Sequence, residues 1–191
     1  MKLILIALIV ALVVGWALGG RISGLATVRF RWAPLAVAGL ALQFLTPSGK
    51  GLADALLVLS FLLLALFTIL NRKVAGFALI LAGLFMNFLV IGVNHGMPVT
   101  RNALESSGQG ALLVDLIENG GAKHHLAGPD DRLLFLGDVI AIPPPVSQAV
   151  SAGDIVAYVG VGYVIVAGML QRKRRETTLE AGDDVGEVER A

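Results

Sequence analysis

Two aspartates near the end of the chain carry the side chains best suited to acid–base chemistry. Asp138 lies in the apolar run Leu133–Ile142, and Asp154 opens the last long hydrophobic segment. Burial in apolar surroundings raises the pKa of a carboxyl group, so one carboxyl of a pair can be protonated while the other is ionised. Such a pair can divide the acid and base roles of a hydrolytic reaction, which makes Asp138 and Asp154 candidate catalytic residues.

Both aspartates also have a structural interpretation. Ser151 and Asp154 have the spacing of a capping box, with Ser151 as the N-cap and the Asp154 carboxylate near the positive end of the helix dipole. Asp138 follows Gly137 and could accept hydrogen bonds from backbone N–H groups in a turn. Three consecutive prolines after Ile142 exclude a helix there, which predicts an extended or re-entrant segment.

All three histidines, His95, His124 and His125, lie in the polar stretch 95–153. Zinc needs three or four convergent ligands, and these histidines lack the spacing of a zinc motif. We therefore interpret them as solvated or capping side chains and predict no metal and no other cofactor. The chain has no cysteine, which excludes disulfides and thiolate chemistry.

Two amide side chains, Gln43 and Asn87, lie within long apolar segments. Asn87 comes seven residues before Asn94, so both asparagines lie on one helix face. Hydrogen bonding between helices is the simpler interpretation, and the floor of a polar pocket open to the outside is the alternative. Ionisable residues are almost absent from these segments, which disfavours an ion-coupled transporter.

The composition is that of a membrane protein. Apolar residues make up 56% of the 191 residues and charged residues 15%, whereas soluble domains have roughly 25% charged residues. We predict an all-α integral membrane protein with five transmembrane helices. The predicted spans are Leu3–Gly20, Val28–Thr46, Leu52–Leu70, Val74–Val93 and Asp154–Leu170.

Four parts follow from this pattern: a four-helix transmembrane region in residues 1–94, an external loop in residues 95–153, a fifth transmembrane helix in residues 154–170, and a disordered charged tail in residues 171–191. The external loop is expected to contain short interfacial helices. In the second span, Arg29 and Arg31 are expected to lie along the helix and extend to the headgroups.

The basic residues predict the orientation. They lie between spans one and two, between spans three and four, and after span five. Loops rich in Lys and Arg stay in the cytoplasm, so the N-terminus and the 95–153 loop are predicted to lie outside the plasma membrane and the C-terminus inside. The predicted partner is the lipid bilayer, with another membrane or envelope protein as a further possibility. The net charge of +1 gives no reason to expect a nucleic acid.

A sharp exit is predicted where span four ends, in Asn94-His95-Gly96-Met97-Pro98. Asn94 or Gly96 can adopt positive φ, and Pro98 cannot continue a helix.

Three motifs carry a resemblance: NHGMPV at 94–99, HHLAGPDDRLLFLGDVI at 124–140 and SAGD at 151–154. With them the chain resembles an uncharacterised family of small bacterial multi-spanning membrane proteins. This resemblance implies a topology and no activity.

A second, local resemblance covers LGDVI at 136–140 and SAGDI at 151–155. These segments resemble the two aspartate segments of lipoprotein signal peptidase, a membrane aspartic protease. The resemblance implies Asp138 and Asp154 as its catalytic pair. The chain differs in having Ser151 where that family has asparagine, and in its number of spans.

From these observations we expect a non-catalytic membrane protein whose external loop docks a partner, a lipid or an envelope component. An aspartate-dependent intramembrane hydrolase of signal-peptidase type is the alternative, and a small-solute carrier is the third hypothesis. The residues predicted to line a pocket or carry a motif are Gln43, Asn87, Asn94, His95, Gly96, Met97, Pro98, His124 and His125.

Overall fold

A computed structural model describes the backbone of residues 2–45, 50–118, 121 and 123–188 and, apart from residues 50 and 172–188, their side chains. Helices dominate this part of the chain, and four short strands accompany them. The helices are α1 (Lys2–Ala17), α2 (Ala33–Phe44), α3 (Lys50–Leu70), α4 (Phe77–Asn94), α5 (Arg101–Ser106), α6 (Gly110–Glu118) and α7 (Ala152–Val188). The strands are β1 (Met97–Val99), β2 (His124–Leu126), β3 (Ile140–Ile142) and β4 (Gln148–Val150). Two 3₁₀ turns cover Ile22–Thr27 and Leu134–Leu136.

Three of the described helices are long and apolar enough to cross a membrane. They comprise Gly51–Leu70, Phe77–Asn94 and Ala152–Gln171, with mean hydropathies of 2.5, 2.1 and 1.8. Helices α1 and α2 are apolar but have only 16 and 12 residues. At 1.5 Å per residue, α2 is only about 18 Å long, which is less than the roughly 30 Å of a bilayer's hydrocarbon core.

The second apolar helix begins five residues later than predicted, at Ala33. Trp32 has a left-handed backbone with φ 56°, and Pro34 lies in the first helical turn, where its missing N–H costs nothing. The Asn71 side chain accepts a hydrogen bond from the Arg31 N–H at 2.7 Å and donates to the Arg31 carbonyl at 2.9 Å. The prediction that Arg29 and Arg31 lie along the helix is therefore wrong, because this loop is fastened to the end of α3.

Two other helix limits differ from the prediction. Helix α4 begins at Phe77 and not at Val74, because Gly76 has φ 91°. The backbone of α7 is helical to Val188, although we predicted a span that ends at Leu170 and a disordered tail. Residues 171–188 include many strong helix formers (Glu, Arg, Leu and Ala), and extending a preformed helix needs no new nucleus.

Glycines allow α4 and α7 to pack at backbone distance. A Cβ atom on Gly83 would lie 2.4 Å from the Gly153 carbonyl oxygen, and one on Gly76 would lie 2.4 Å from the Gly160 carbonyl oxygen. Real Cβ atoms do not approach so closely, so side chains at these positions would push the helices apart. Small residues at helix interfaces are typical of membrane helix pairs.

Residues 95–151, which we call the cap, cover one end of α4 and α7. Strand β1 pairs with β2 in parallel, with Met97 opposite His124, and β3 pairs with β4 in an antiparallel hairpin. The predicted short helices are present as α5 and α6. The segment Leu133–Ile142, predicted to be extended or re-entrant, is extended only in part, since it has a 3₁₀ turn at Leu134–Leu136 and strand β3 at Ile140–Ile142. The all-α prediction is wrong about the four strands. Buried apolar residues fill the cap and join it to α4: Val99, Leu104, Leu113 and Leu116 in one cluster, and Val90, Met97 and Leu136 in the other.

The helices alternate in direction relative to the cap. Helix α1 starts at the cap, where Lys2 Nζ donates to the Pro145 carbonyl at 3.2 Å. Helix α2 ends there, since the Lys123 ammonium donates to the Gln43 carbonyl. Helix α4 also ends at the cap, and α7 begins there. The basic residues that join α1 to α2 and α3 to α4 lie at the far end: Arg21, Arg29, Arg31, Arg72 and Lys73.

Candidate functional site

The carboxylate of Asp154 lies at the first turn of α7. Ser151 is the N-cap, and its Oγ accepts a hydrogen bond from the Asp154 N–H at 2.9 Å. In return, Asp154 Oδ2 accepts from the Ser151 N–H at 3.2 Å. These two bonds are the predicted capping box, in which each side chain satisfies an N–H that the helix leaves unpaired.

Asn87 connects this capping box to α4. Its Nδ2 donates to Asp154 Oδ1 at 2.8 Å, and its Oδ1 accepts from Ser151 Oγ at 2.9 Å. Asn87 is buried, so both bonds are shielded from water. The interhelical hydrogen bonding that the sequence predicts for Asn87 is therefore present, and each oxygen of Asp154 has at least one donor.

Asp138 approaches the same region from the cap. Its backbone is fixed against β1, because its N–H donates to the Pro98 carbonyl at 3.0 Å and its carbonyl accepts from the Thr100 N–H at 3.3 Å. The residue is only 7% exposed. Within the described part of the chain, its Oδ1 is buried and has no hydrogen-bond partner. The turn interpretation, in which backbone N–H groups satisfy the carboxylate, does not account for this oxygen.

Burial and a neighbouring charge change the protonation of Asp138. Desolvation and, to a smaller extent, the negative charge of Asp154 together raise its pKa from 3.8 to about 8. At neutral pH, Asp138 is therefore mainly protonated, while Asp154 keeps the hydrogen bonds that stabilise a carboxylate. The two carboxyls are close enough to interact electrostatically, and a buried neutral carboxyl near a second carboxyl is the arrangement that a general acid and a general base require.

His124 connects the buried carboxyl to the surface. Its Nε2 lies 3.6 Å from Asp138 Oδ2, which is too long for a hydrogen bond, and about half of its side chain is exposed. Neighbouring protein atoms shield the ring from water, which disfavours its charged form and lowers the His124 pKa despite that exposure. The negative charge of Asp154 acts in the opposite direction and raises this pKa. His124 is thus the nearest titratable neighbour of Asp138 on the solvent side.

An apolar groove adjoins the pair on α7. It has a volume of about 420 Å³ and runs between α1 and α7. Ile155 and Tyr158 line it one residue and four residues after Asp154. The Tyr158 hydroxyl pairs with Gln148 and lies within electrostatic reach of both carboxyls. The site therefore has an apolar flank formed by α1 and α7.

The remaining predicted residues fasten the cap to the helices. Asn94 donates to the Arg132 carbonyl and accepts from the Arg132 N–H, both at 2.8 Å. His95 ends α4 with φ 54°, and Gly96 follows with φ 151°, so the predicted sharp exit is present. Met97 and Pro98 are buried in β1.

The other histidine of β2 has its own partner. His125 Nε2 lies 2.8 Å from Asp131 Oδ1. Burial alone would raise the Asp131 pKa, but hydrogen bonds from the Gly128 N–H and from His125 lower it overall. Among the described residues, no three His, Asp or Glu side chains converge as metal ligands.

Gln43 does not meet Asn87 in a common pocket. Its backbone carbonyl accepts from Lys123, whose pKa is lowered by burial. Neither Gln43 nor Asn87 lines the groove beside α1 or the two smaller apolar cavities around Phe61 and Phe88. The predicted pocket residues are thus separated: Asn87 belongs to the buried cluster at Asp154, and His95 lines one of the cavities at Phe61 and Phe88 together with Asp54.

A family model matches residues 27–166, which include the cap, the carboxyl pair and most of the apolar helices. The chain belongs to this family of unknown function, DUF5317. No curated protein and no solved structure matches the chain. The predicted resemblance to an uncharacterised family is confirmed to that extent, and membership of DUF5317 assigns no activity to the pair.

Sequence reasoning missed two contributors to the site of this DUF5317 protein. Tyr158 was not selected, although it lies four residues after Asp154 and therefore on the same helix face. Gln148 was also missed. Its Oε1 accepts from the Leu3 N–H at 3.2 Å, which joins the start of α1 to the cap. A sequence pattern could have identified Tyr158, but the Gln148 contact spans 145 residues and has no local signal.

Proposed function

We propose that this protein is a multi-pass plasma-membrane protein with an external acid–base site, formed by Asp138 and Asp154, that hydrolyses an amide or ester bond at the outer membrane surface. The observation that carries the proposal is the buried Asp138 carboxyl. It has an unpaired oxygen and a pKa raised to about 8, in part by the charge of Asp154, whose carboxylate is held by donors from Ser151 and Asn87.

The membrane assignment extends the three long apolar helices to five spans. Support comes from the alternating directions of α1, α2, α3, α4 and α7 relative to the cap, and from the basic residues collected at the far end. Helices α1 and α2 are short for a full crossing, so their assignment as spans depends on these directions and on their apolar composition. The basic end is then cytoplasmic and the cap external.

The proposed chemistry gives each carboxyl one role. Asp154 accepts a proton from the attacking water, because its hydrogen bonds favour the ionised form. Asp138 donates its proton to the carbonyl oxygen during this attack, because burial keeps it protonated at neutral pH. When the intermediate collapses, the oxygen returns that proton to Asp138 and Asp154 passes its proton to the leaving group, so both carboxyls regain their starting states. This division is that of an aspartic peptidase, in keeping with the resemblance of both segments to lipoprotein signal peptidase.

Two experiments test these statements separately. A reporter fused after Arg175 should behave as cytoplasmic, and one inserted near residue 120 should behave as external; the reverse pattern would refute the topology. For the activity, cells that carry Asp138→Asn or Asp154→Asn should accumulate an uncleaved envelope substrate, and Asp130→Asn in the exposed loop should not. Losing one acid or base should reduce turnover about 10²–10⁴-fold. Normal turnover in both variants, with folding checked by circular dichroism, would exclude a catalytic pair.

A docking role for the cap is the second candidate. Its support is the exposed apolar surface that the cap presents, in which Phe135 is 68%, Ile117 54% and Val114 51% exposed. Docking predicts that Phe135→Ser weakens association with an envelope partner while Asp138→Asn has no effect. Hydrolysis predicts the opposite ranking. A solute carrier has no comparable support, because no described cavity joins Gln43 to Asn87.

A further inference from the structure

The groove between α1 and α7 has a regular construction. Its α1 wall consists of Leu3, Ala7, Val10, Ala11 and Val14, and its α7 wall consists of Ile155, Tyr158, Val159, Gly162 and Val166. Both sets follow helical spacing, so each wall is one continuous helix face. Ile142 of β3 closes the end next to the cap.

The dimensions of the groove select its occupant. From Leu3 to Val14 the α1 wall rises about 16 Å, close to the roughly 15 Å of one leaflet's hydrocarbon. A volume of about 420 Å³ over that length describes a long, narrow groove. A helix with side chains is about 10–12 Å across and is wide for such a groove. A single hydrocarbon chain fits.

The end of the groove beside the cap is polar and basic. Lys2 is exposed there, and its ammonium is held near the mouth by the Pro145 carbonyl. The Leu3 N–H and the Tyr158 side chain converge on Gln148 at the same end. A phosphate complements the Lys2 ammonium.

We propose that the groove between α1 and α7 binds one acyl chain of an outer-leaflet phospholipid, with the phosphate of that lipid at Lys2. This site is independent of hydrolysis at the carboxyl pair. It uses the membrane orientation proposed above, and it remains whether or not Asp138 and Asp154 catalyse a reaction.

Gly162 allows the groove to be filled without disturbing the helices. A Cβ atom there would lie 3.6 Å from the Ala11 Cβ, an ordinary contact. Gly162→Leu should therefore occupy the groove with little backbone movement. Gly92→Leu is the matched control, because a Cβ on Gly92 of α4 meets nothing within 4 Å.

The test uses the full chain in nanodiscs of phosphatidylethanolamine and phosphatidylglycerol, with a trace of phosphatidylcholine that carries a photoreactive group on one acyl chain. After irradiation, mass spectrometry should find crosslinks concentrated on the groove faces of α1 and α7. Gly162→Leu should reduce these crosslinks at least fivefold and Gly92→Leu should not. If Gly162→Leu lowers the yield of folded protein, Ala7→Leu fills the same groove from α1. Uniform labelling of all helices, or labelling unchanged by both filling variants, would overturn the acyl-chain site.

A second measurement tests the headgroup contact. After extensive detergent washing, the wild-type protein should retain about one phosphate per chain, and Lys2→Gln should retain close to none. Photoreactive diacylglycerol, which lacks the phosphate, should label the groove of both proteins equally. Equal phosphate retention by wild type and Lys2→Gln would refute the assignment of the phosphate to Lys2.

Discussion

Asp138 should make the stability of this protein depend on pH, and Asp138→Asn should remove that dependence. The folded-state pKa of Asp138 is about 8, against 3.8 for an ordinary aspartate. The unfolded chain therefore loses this proton at a lower pH than the folded chain. Folding takes up a proton between about pH 4 and pH 8, so stability falls as the pH rises through that window and levels off above it.

The magnitude follows from the shift. Each pH unit within the window costs about 1.4 kcal/mol, and about four units give an upper limit of 5–6 kcal/mol. Between pH 5 and pH 7.5 the expected loss is about 3 kcal/mol. Asn is neutral at every pH, so Asp138→Asn should match the wild type near pH 4 and be more stable near pH 8. His124 and Asp154, the titratable groups nearest to Asp138 in its electrostatic surroundings, are present in both proteins.

The assay is unfolding in mixed micelles at several pH values, followed by circular dichroism. The quantity compared is the difference in unfolding free energy between wild type and Asp138→Asn, which isolates the titration of one residue. Asp130→Asn, in the exposed part of the same loop, should follow the wild type. A difference that does not change between pH 5 and pH 7.5 would show that Asp138 is not held protonated, and the acid–base argument would then fail.

Three further predictions concern the contacts around the pair. Ser151→Ala should destabilise the protein by about 1–3 kcal/mol in thermal unfolding, because it removes the N-cap hydroxyl and leaves the buried oxygen of Asn87 unpaired. A double-mutant cycle of Asn87→Ala and Asp154→Ala should give a coupling free energy of about 0.6–2 kcal/mol in denaturant unfolding. Gly83→Ala should lower the melting temperature clearly, since its Cβ would meet a backbone carbonyl at 2.4 Å, whereas Gly92→Ala should not.

For each of these predictions, one experimental result would contradict it. Ser106→Ala changes an exposed hydroxyl, so equal destabilisation by Ser106→Ala and Ser151→Ala would remove the special role of the capping box. Additive effects of the Asn87 and Asp154 variants would mean that their hydrogen bond contributes nothing measurable. Equal melting temperatures for the two glycine variants would contradict the close α4–α7 contact.

The apolar helices were predictable because their signal is local. Runs of apolar residues gave the positions of α3, α4 and the start of α7 to within a few residues. The limits of α2 were not predictable in this way. They depend on Asn71, which lies 40 residues from Arg31 and fixes the backbone of that loop. The strands of the cap were missed because each has three residues, too few to establish a period of two.

The two halves of the candidate site also differed in how well the sequence predicted them, because one depends on local contacts and the other on distant ones. The capping box of Asp154 was predictable because Ser151 and Asp154 are three residues apart. The environment of Asp138 was not, because its burial depends on the pairing of β1 with the segment before β3, between residues about 40 positions apart in the chain. Asn87 was recognised as polar within an apolar helix, but its partners on α7 are more than 60 residues away.

The two carboxyls differ in what they contribute to the fold, and this difference favours a reactive role for Asp138. Asp154 stabilises the start of α7 and satisfies Asn87, so its presence needs no functional explanation. Asp138 has the opposite effect on stability, because a buried carboxyl with an unpaired oxygen destabilises the folded state at neutral pH. Its backbone bonds to Pro98 and Thr100 could be made by any residue except proline. A group that weakens the fold, lies beside a carboxylate and adjoins an accessible histidine has the properties of a functional acid and not of a structural one.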